Sequence, residues 1–326
     1  MLVSILIPCY NAERFVGEAI ESAVAQTWPD KEVIVVDDGS TDRSLNVIKS
    51  FGDRIRFESG PNRGGNVARN RLMELARGEW LQYVDADDWL LPQKVQKQVE
   101  FLAEHPHCDV VYSPVYWIDW ADGRITHQEI TAIPEPRDPW ILLARWWLPQ
   151  TSGPLFRKQS IVKAGSWKLD QPCCQEHELY LRLLESGAQF EYLDECHAAY
   201  RHWSQNETVS RRNLPELRRQ RLAVMERLER FLDSRGELTL ARMQALNQGR
   251  FEVARAAWLE DRQAATAIVS TIEKRQPDFV PGPPAARGHY RFLYRTFGFD
   301  ATEWAAECAR TIKIRRLAGR TRATTR

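Results

Sequence analysis

What this chain lacks narrows its class before any motif is read. Its 326 residues hold six cysteines, at positions 9, 108, 173, 174, 196 and 308, with no CxxC among them. That spacing speaks against a zinc site and a disulfide scaffold, so a reducing cytoplasm is the expected setting. No apolar run reaches the ~18 residues of a membrane span. The opening "MLVSILIPCYNA" has no basic stretch and its apolar run stops at Pro8, so a first strand is expected there and not a leader. No GxGxxG follows that strand and no GxxxxGK[ST] occurs anywhere, which removes dinucleotide-binding and P-loop readings. There is no internal repeat of fixed period.

What is present is ordinary in bulk: 43% hydrophobic and 27% charged residues, enough for a large domain and a second, smaller part. The net charge of +1 hides an uneven distribution. Residues 1–210 carry 21 Lys and Arg against 31 Asp and Glu, whereas residues 211–326 carry 24 against 13. An acidic part suits bound cations, and a basic part suits an anionic surface or polymer. Mutual attraction of the two parts would account for the split equally well.

"LVSILIP", "KEVIVVDD", "RIRFES", "EWLQYVDADD" and "CDVVYSPVYWI" read as strands. They alternate with helical patterns such as "NAERFVGEAIESAVAQT", for which Asn11 is a plausible N-cap. Continuous apolar strands between helices imply an α/β fold with a mostly parallel sheet covered on both faces. Ligands of such sheets bind beyond the carboxyl ends of the strands, where "PCYN", "DDGSTD" and "DADD" fall together. Residues 114–175, rich in Trp and Pro, read as loops and short elements forming a second wall. Arg-rich helices follow residue 210, so the expected division is 1–210 and 211–326.

Asp85 and Asp87, on a strand end, suit a hard divalent cation with oxygen ligands. Turn chemistry alone would also explain aspartates there. Asp85, Asp87 and Asp88 repel one another unless something cationic intervenes. Asp37 and Asp38 also end a strand. Either can accept hydrogen bonds from a nucleobase or ribose, while Asp38 or Ser40 can instead cap the next helix. "NRGGNVARN" supplies Asn62, Gly64 and Arg69: glycines permit close approach, and an arginine offers charge-assisted contacts to phosphate.

"SILIPCYN", "VIVVDDGSTD", "NRGGNVARN", "YVDADDWLLP" and "EHELYLRL" occur in the order seen in family 2 glycosyltransferases, and residues 2–210 resemble that family. The resemblance implies a GT-A fold, an inverting reaction, a nucleotide-diphosphate sugar donor and Mn²⁺ or Mg²⁺. It implies that Pro8, Tyr10, Asn11 and Glu13 line the nucleoside pocket and that Asp38 meets the base. Asp85 and Asp87 would handle ribose and metal, with Asp87 the main metal ligand beside Asp85, and Ala86 would be among the donor-binding residues. Where the family has Glu-Asp before its Leu-rich helix, this chain has Gln175-Glu176. Glu176 then takes the general-base position, with Glu178, two residues on, as its rival. "AYRHWSQNETVS" resembles a segment near the donor. There His202 is a further metal candidate, although Trp203 stands nearer the place of the family's histidine.

The expected activity is transfer of a sugar, from UDP by analogy, to a hydroxyl of a glycan or lipid-linked acceptor. Cell-envelope or exopolysaccharide assembly would be its setting. The alternative, motivated by Gln175-Glu176, is a nucleotide-sugar binding protein with little turnover. A sugar nucleotidyltransferase would want a Gly- and Arg-containing loop after the first strand, which "PCYNAERF" does not offer. No nucleic-acid partner is expected. Residues 310–326 carry seven basic and no acidic residues, which suits either a solvated tail or peripheral contact with anionic lipid at the inner face of a membrane.

Overall fold

The computed structural model describes residues 1–203 and 213–323, with side chains as far as residue 310. The expected boundary at 210/211, the end of "AYRHWSQNETVS" and most side chains of the basic tail lie outside the described residues. The chain divides into two compact units, Met1–Leu214 and Pro215–Arg326. Among the described residues, no helix is long and apolar enough to cross a membrane.

In the first unit, β1 (Val3–Cys9), β2 (Lys31–Asp37), β3 (Arg56–Ser59) and β4 (Trp80–Tyr83) are parallel neighbours, in the order β4-β1-β2-β3. Val3, Ile5, Ile7 and Cys9 of β1 share one core with Val16, Ala19 and Ile20 of α1 (Val16–Val24) and with Val95 and Val99 of α4 (Lys94–Glu104). Leu6 points to the opposite face, and α3 (Gly65–Leu75) buries Ala68 and Leu72. Burial on both faces is why β1 and β2 read as nearly unbroken apolar runs, whereas β3, at the sheet edge, is mostly exposed. Between α1 and α3 runs the short α2 (Ser44–Lys49). The pairings Cys9↔Asp37 and Asp37↔Ser59 bring the strand ends level, so the polar loops beyond them share one edge.

Four details differ from the sequence reading. First, α1 starts at Val16 with Phe15 at its N-cap, not at Asn11. Asn11 has φ 49°, a left-handed conformation that Asn tolerates, and the chain turns there before the helix begins. Second, "CDVVYSPVYWI" is two strands, β6 (Val110–Tyr112) and β7 (Val115–Ala121), in different sheets. Pro114, which has no N–H to give a ladder, lies at the break. Third, the region expected to be loops contains a long hairpin of β7 with β8 (Arg124–Thr131), turned at Asp122 and Gly123 with φ 51° and 78°. Asp-Gly is a strong hairpin signal. Fourth, β9 (Leu155–Arg157) enters antiparallel between β4 and β6, with β10 (Phe190–Tyr192) at the edge. A second sheet has the order β5-β11-β7-β8, where β5 is Trp89–Leu90 and β11 is Ala198–Trp203. Helices α5 (Pro139–Ala144), α6 (Lys158–Lys163) and α7 (Gln175–Glu185) complete the unit.

The second unit consists of α8 (Leu214–Ser234), α9 (Leu240–Ala257), α10 (Arg262–Arg275) and α11 (Gly288–Ala323), the last broken at Gly298. Thr239 and Asp261 cap α9 and α10. Phe251 is ringed by Phe279, Tyr290, Tyr294 and Phe299, with centroids 5.5–6.1 Å away. Arg250 and Glu229 form a buried pair at 2.5 Å.

Candidate active site

The loops after β1 and β2 are laced together. Asn11 N–H donates to Ser40 Oγ at 3.0 Å, and Asn11 Oδ1 accepts from Thr41 N at 2.8 Å. Glu13 N–H donates to Asp42 at 3.0 Å while the Glu13 carboxylate accepts from Arg43 N at 2.8 Å. Pro8 is half-buried just before this lacing and Tyr10 is exposed. Of the four residues expected at a nucleoside pocket, Pro8 lies near the end of β1 and Tyr10, Asn11 and Glu13 on the loop after it, with Asn11 and Glu13 also serving to hold its shape.

Asp37 is buried and accepts from Ser59 Oγ at 2.7 Å and from Ser40 N at 3.2 Å. Asp38 accepts from the backbone N–H groups of Arg63 and Gly64, both at 2.8 Å. Its carboxylate thus fixes the loop that presents Asn62 and Gly64, both exposed, at the start of α3. Gly39, between this pair and Ser40, has φ 74°, and a Cβ there would lie 2.5 Å from Asn62 N. Only glycine suits that crossing.

The three aspartates after β4 diverge. Asp85 accepts from Arg69 Nη2 at 2.9 Å. Asp87 accepts from the indole N–H of Trp203 at 3.1 Å. Asp88 points into the core and accepts from Ser152 Oγ at 2.7 Å and Arg201 N at 2.9 Å. Burial, and then repulsion from Asp85, holds the Asp87 carboxyl above the usual range. Burial, and then Asp87 and Asp85, pushes Asp88 well up. Cations do stand nearby, supplied from afar in sequence. Arg69 flanks Asp85, and the Arg201 side chain lies among Phe15, Trp89 and Trp120 and pairs with Glu18 at 2.5 Å. Arg69, expected to face phosphate, spends its other nitrogen on Gln175 Oε1 at 2.8 Å and lies over Trp167. Ala86 turns its methyl into the core, so only its backbone is left to meet a donor.

Among the described residues, no group of three or more His, Cys, Asp or Glu is arranged to hold a metal. Asp85 and Asp87 nevertheless fit a hard divalent cation that takes further ligands from phosphate and water. The repulsion recorded in Asp87's raised carboxyl is what a cation between the two would relieve. His202 is not brought to this pair: its Nδ1 meets Asp119 Oδ1 at 2.7 Å and its ring lies against Trp117. Neighbours on a strand face opposite ways, so it is Trp203 that reaches Asp87. An indole N–H donates only and cannot ligate a metal.

Glu176 stands in the first turn of α7 with its side chain 24% exposed. Burial pushes its carboxyl up, but the adjacent His177 and more distant Arg69 outweigh that and leave it below the usual value. Glu178 is buried and gripped by Arg182 at 2.8–3.0 Å. Tyr200, which the sequence reading did not single out, gathers the cluster. Burial raises its hydroxyl, and Asp88, Asp87, Glu176 and Asp85 all add to the effect. The alternation of "AYRHW" along β11 was the available signal. The site thus brings β4, β11, α3 and α7 around four carboxylates.

Residues 4–162 match the family model described as glycosyl transferase family 2. That stretch of the first unit is a glycosyl transferase family 2 domain. Curated relatives include an uncharacterized glycosyltransferase of Rickettsia typhi, 38% identical over 110 residues, covering 34% of this chain and 35% of that protein. Chondroitin synthase of Escherichia coli is 30% identical over 195 residues, covering 57% of this chain and 27% of its own length. The chain spans only 20–43% of the length of the first relatives it matches. Among solved structures, S. aureus TarS 1-349 in complex with UDP-GlcNAc has a TM-score of 0.67 at 18% identity, covering 95% of this chain and 92% of that one. The mannosyltransferase PcManGT from Pyrobaculum calidifontis, in complex with GDP-Man and Mn²⁺, has a TM-score of 0.51 at 17% identity, covering 94% and 86%. At such identities the likeness concerns the fold, which is GT-A.

Proposed function

We propose that the first unit transfers a sugar from a nucleotide-diphosphate donor to an acceptor hydroxyl with inversion at the anomeric carbon. The observation that carries this reading is Arg69, which joins Asp85 after β4 to Gln175, the residue before Glu176. This link supports a candidate base and a candidate cation site that act together. In this reading the loops of Pro8, Tyr10, Asn11, Glu13, Asp37 and Asp38 hold the nucleoside. Asn62 and Gly64 lie toward the diphosphate at the N-terminus of α3, a favourable place for anions. Asp85 and Asp87 hold Mn²⁺ or Mg²⁺, which when bound supplies positive charge against that of the departing diphosphate. Glu176 accepts the proton of the acceptor hydroxyl as its oxygen attacks from the face opposite the leaving group. Arg69 then serves to fix Asp85 and Gln175.

UDP is the preferred donor nucleotide, in keeping with the UDP-GlcNAc complex of TarS, and GDP is the alternative suggested by the PcManGT complex. The acceptor is a glycan or lipid-linked sugar of cell-envelope or exopolysaccharide assembly, met at the inner face of a membrane with help from the basic C-terminus. Metal-dependent nucleotide release, screened over a panel of UDP- and GDP-sugars with Mn²⁺ or chelator, tests the reading. Release from at least one donor that chelator abolishes is expected, and no release from any donor overturns it. One observation favours a second reading, of donor binding without turnover: Gln175, at the position of the family's Glu, is not an acid and is spent on Arg69. Saturable donor binding without hydrolysis or transfer would select it.

A further inference from the structure

His177 is a buried imidazole, 2% exposed, next to Glu176. Its ring lies flat on the Trp146 indole, with centroids 3.9 Å apart and planes 3° apart, and meets the edge of Tyr180 at 5.8 Å. Such a clamp prevents the ring from turning away. Trp146 adopts φ 60°, a left-handed conformation costly for a bulky residue, and that turn after α5 is what presents its indole to His177. Strain of this kind persists where surrounding structure enforces it, and it gathers at functional sites.

Neither ring nitrogen of His177 has a hydrogen-bond partner among the described residues. Buried polar groups are rarely left so. The group nearest to meeting the need is Glu176, whose Oε1 lies 3.4 Å from Nδ1. Catalytic hydrogen bonds are often long without substrate and tighten in the complex. Glu176, partly exposed, has room to close the gap.

We infer that His177 is a positioning residue for Glu176: clamped by Trp146, its imidazole fixes the carboxylate and offers it an Nδ1–H hydrogen bond that favours the form able to take a proton. This rests on Glu176 being the base. The groups that face Glu176 are His177 and Tyr180 on its own helix, Arg69 from α3 and Tyr200 from β11. Burial pushes both tyrosine hydroxyls up, so they stay neutral where the enzyme would work. Arg69 is charged at every relevant pH. A change in Glu176 ionisation on replacing His177 is then owed to His177, and its direction follows from the depressed carboxyl: removing the imidazole raises the midpoint.

The test uses the full chain with His177→Asn and His177→Phe, the second of which keeps a ring against Trp146. The ¹³C carboxylate titration of Glu176, assigned from the signal lost in Glu176→Gln, needs no donor. Mn²⁺-dependent hydrolysis of UDP-GlcNAc against pH is followed in parallel. Both the carboxylate midpoint and the acidic limb of hydrolysis should move up by about one pH unit, the scale on which losing a hydrogen bond to the ionised form shifts a carboxyl. A packing role alone would lower thermal stability and leave both midpoints in place, and that result in either folded variant overturns the inference. If Glu176→Gln hydrolyses donor at the wild-type rate, the base assignment falls and the positioning role falls with it. An unmoved carboxylate midpoint with Glu176→Gln inactive removes only His177.

Discussion

Trp203 donates its indole N–H to Asp87 at 3.1 Å, while the next residue back, His202, faces Asp119 on the other side of β11. Asp87 is therefore held by a donor that cannot ligate a metal, beside an Asp85 that is paired with Arg69. With Asp87 as the main ligand, Asp87→Asn should abolish Mn²⁺-dependent donor binding. Trp203→Phe should weaken it about 10–100-fold, as loss of a partner behind a ligand does. Because burial and Asp85 disfavour the ionised Asp87, a neutral Asn should not lower the melting temperature. Calorimetry with and without Mn²⁺ checks both variants, and unchanged metal dependence in Asp87→Asn would overturn the assignment.

Gly39→Ala should destabilise the first unit by about 1–3 kcal/mol, the usual cost of a forced left-handed residue, and more if the loop cannot yield. The added methyl meets Asn62 N at 2.5 Å and Gly60 O at 2.9 Å, both backbone atoms. It would also push Asp38 off Arg63 and Gly64, so donor affinity should fall with stability. Denaturant midpoints and nucleotide titration read the two effects, and an unchanged midpoint would show that the loop gives way freely.

The sheet and its polar edge could be read from the sequence because β1, β2 and β4 are buried on both faces and each is followed within two residues by Asp or Asn. Local pattern is enough for that. It was not enough for Arg69, whose partners Asp85 and Gln175 lie 16 and 106 residues away. Nor could it say which of His202 and Trp203 faces Asp87, since strand parity depends on where the pleat begins. The β7–β8 hairpin is different: Asp122-Gly123 is a turn signal, but the aromatic flanks do not alternate cleanly, so the strands beside it are hidden in the sequence.

The basic C-terminus should matter for surface attachment and not for the donor. Residues 310–326 carry seven basic residues and no acidic ones. Deleting them should leave donor hydrolysis unchanged and weaken binding to anionic vesicles, by about 1 kcal/mol for each basic residue that reaches the surface. Added salt should erase the difference. Vesicle sedimentation at low and high salt checks this, and loss of hydrolysis on truncation would mean that the segment serves the active site.

Glu176 and Glu178 sit two residues apart on α7, yet their surroundings assign them different work. Glu178 is buried, and its carboxylate is gripped by Arg182 Nε and Nη2, while Arg182 Nη1 also holds the Ala164 carbonyl. An acid so engaged stabilises the helix and is not free to take a proton. Glu176 is partly exposed, lies within the field that Tyr200 shares with Asp85 and Asp87, and has its carboxyl held below the usual value. It is therefore ionised at neutral pH, as a base must be. Glu176→Gln should lower transfer about 10²–10⁴-fold, the usual contribution of a general base, with donor affinity nearly unchanged. Glu178→Gln should keep transfer and instead lose stability, by roughly 1–3 kcal/mol for a weakened charged hydrogen bond. Single-turnover transfer and thermal melts of the two variants separate these outcomes. An inactive Glu178→Gln beside an active Glu176→Gln would move the base two positions along the helix.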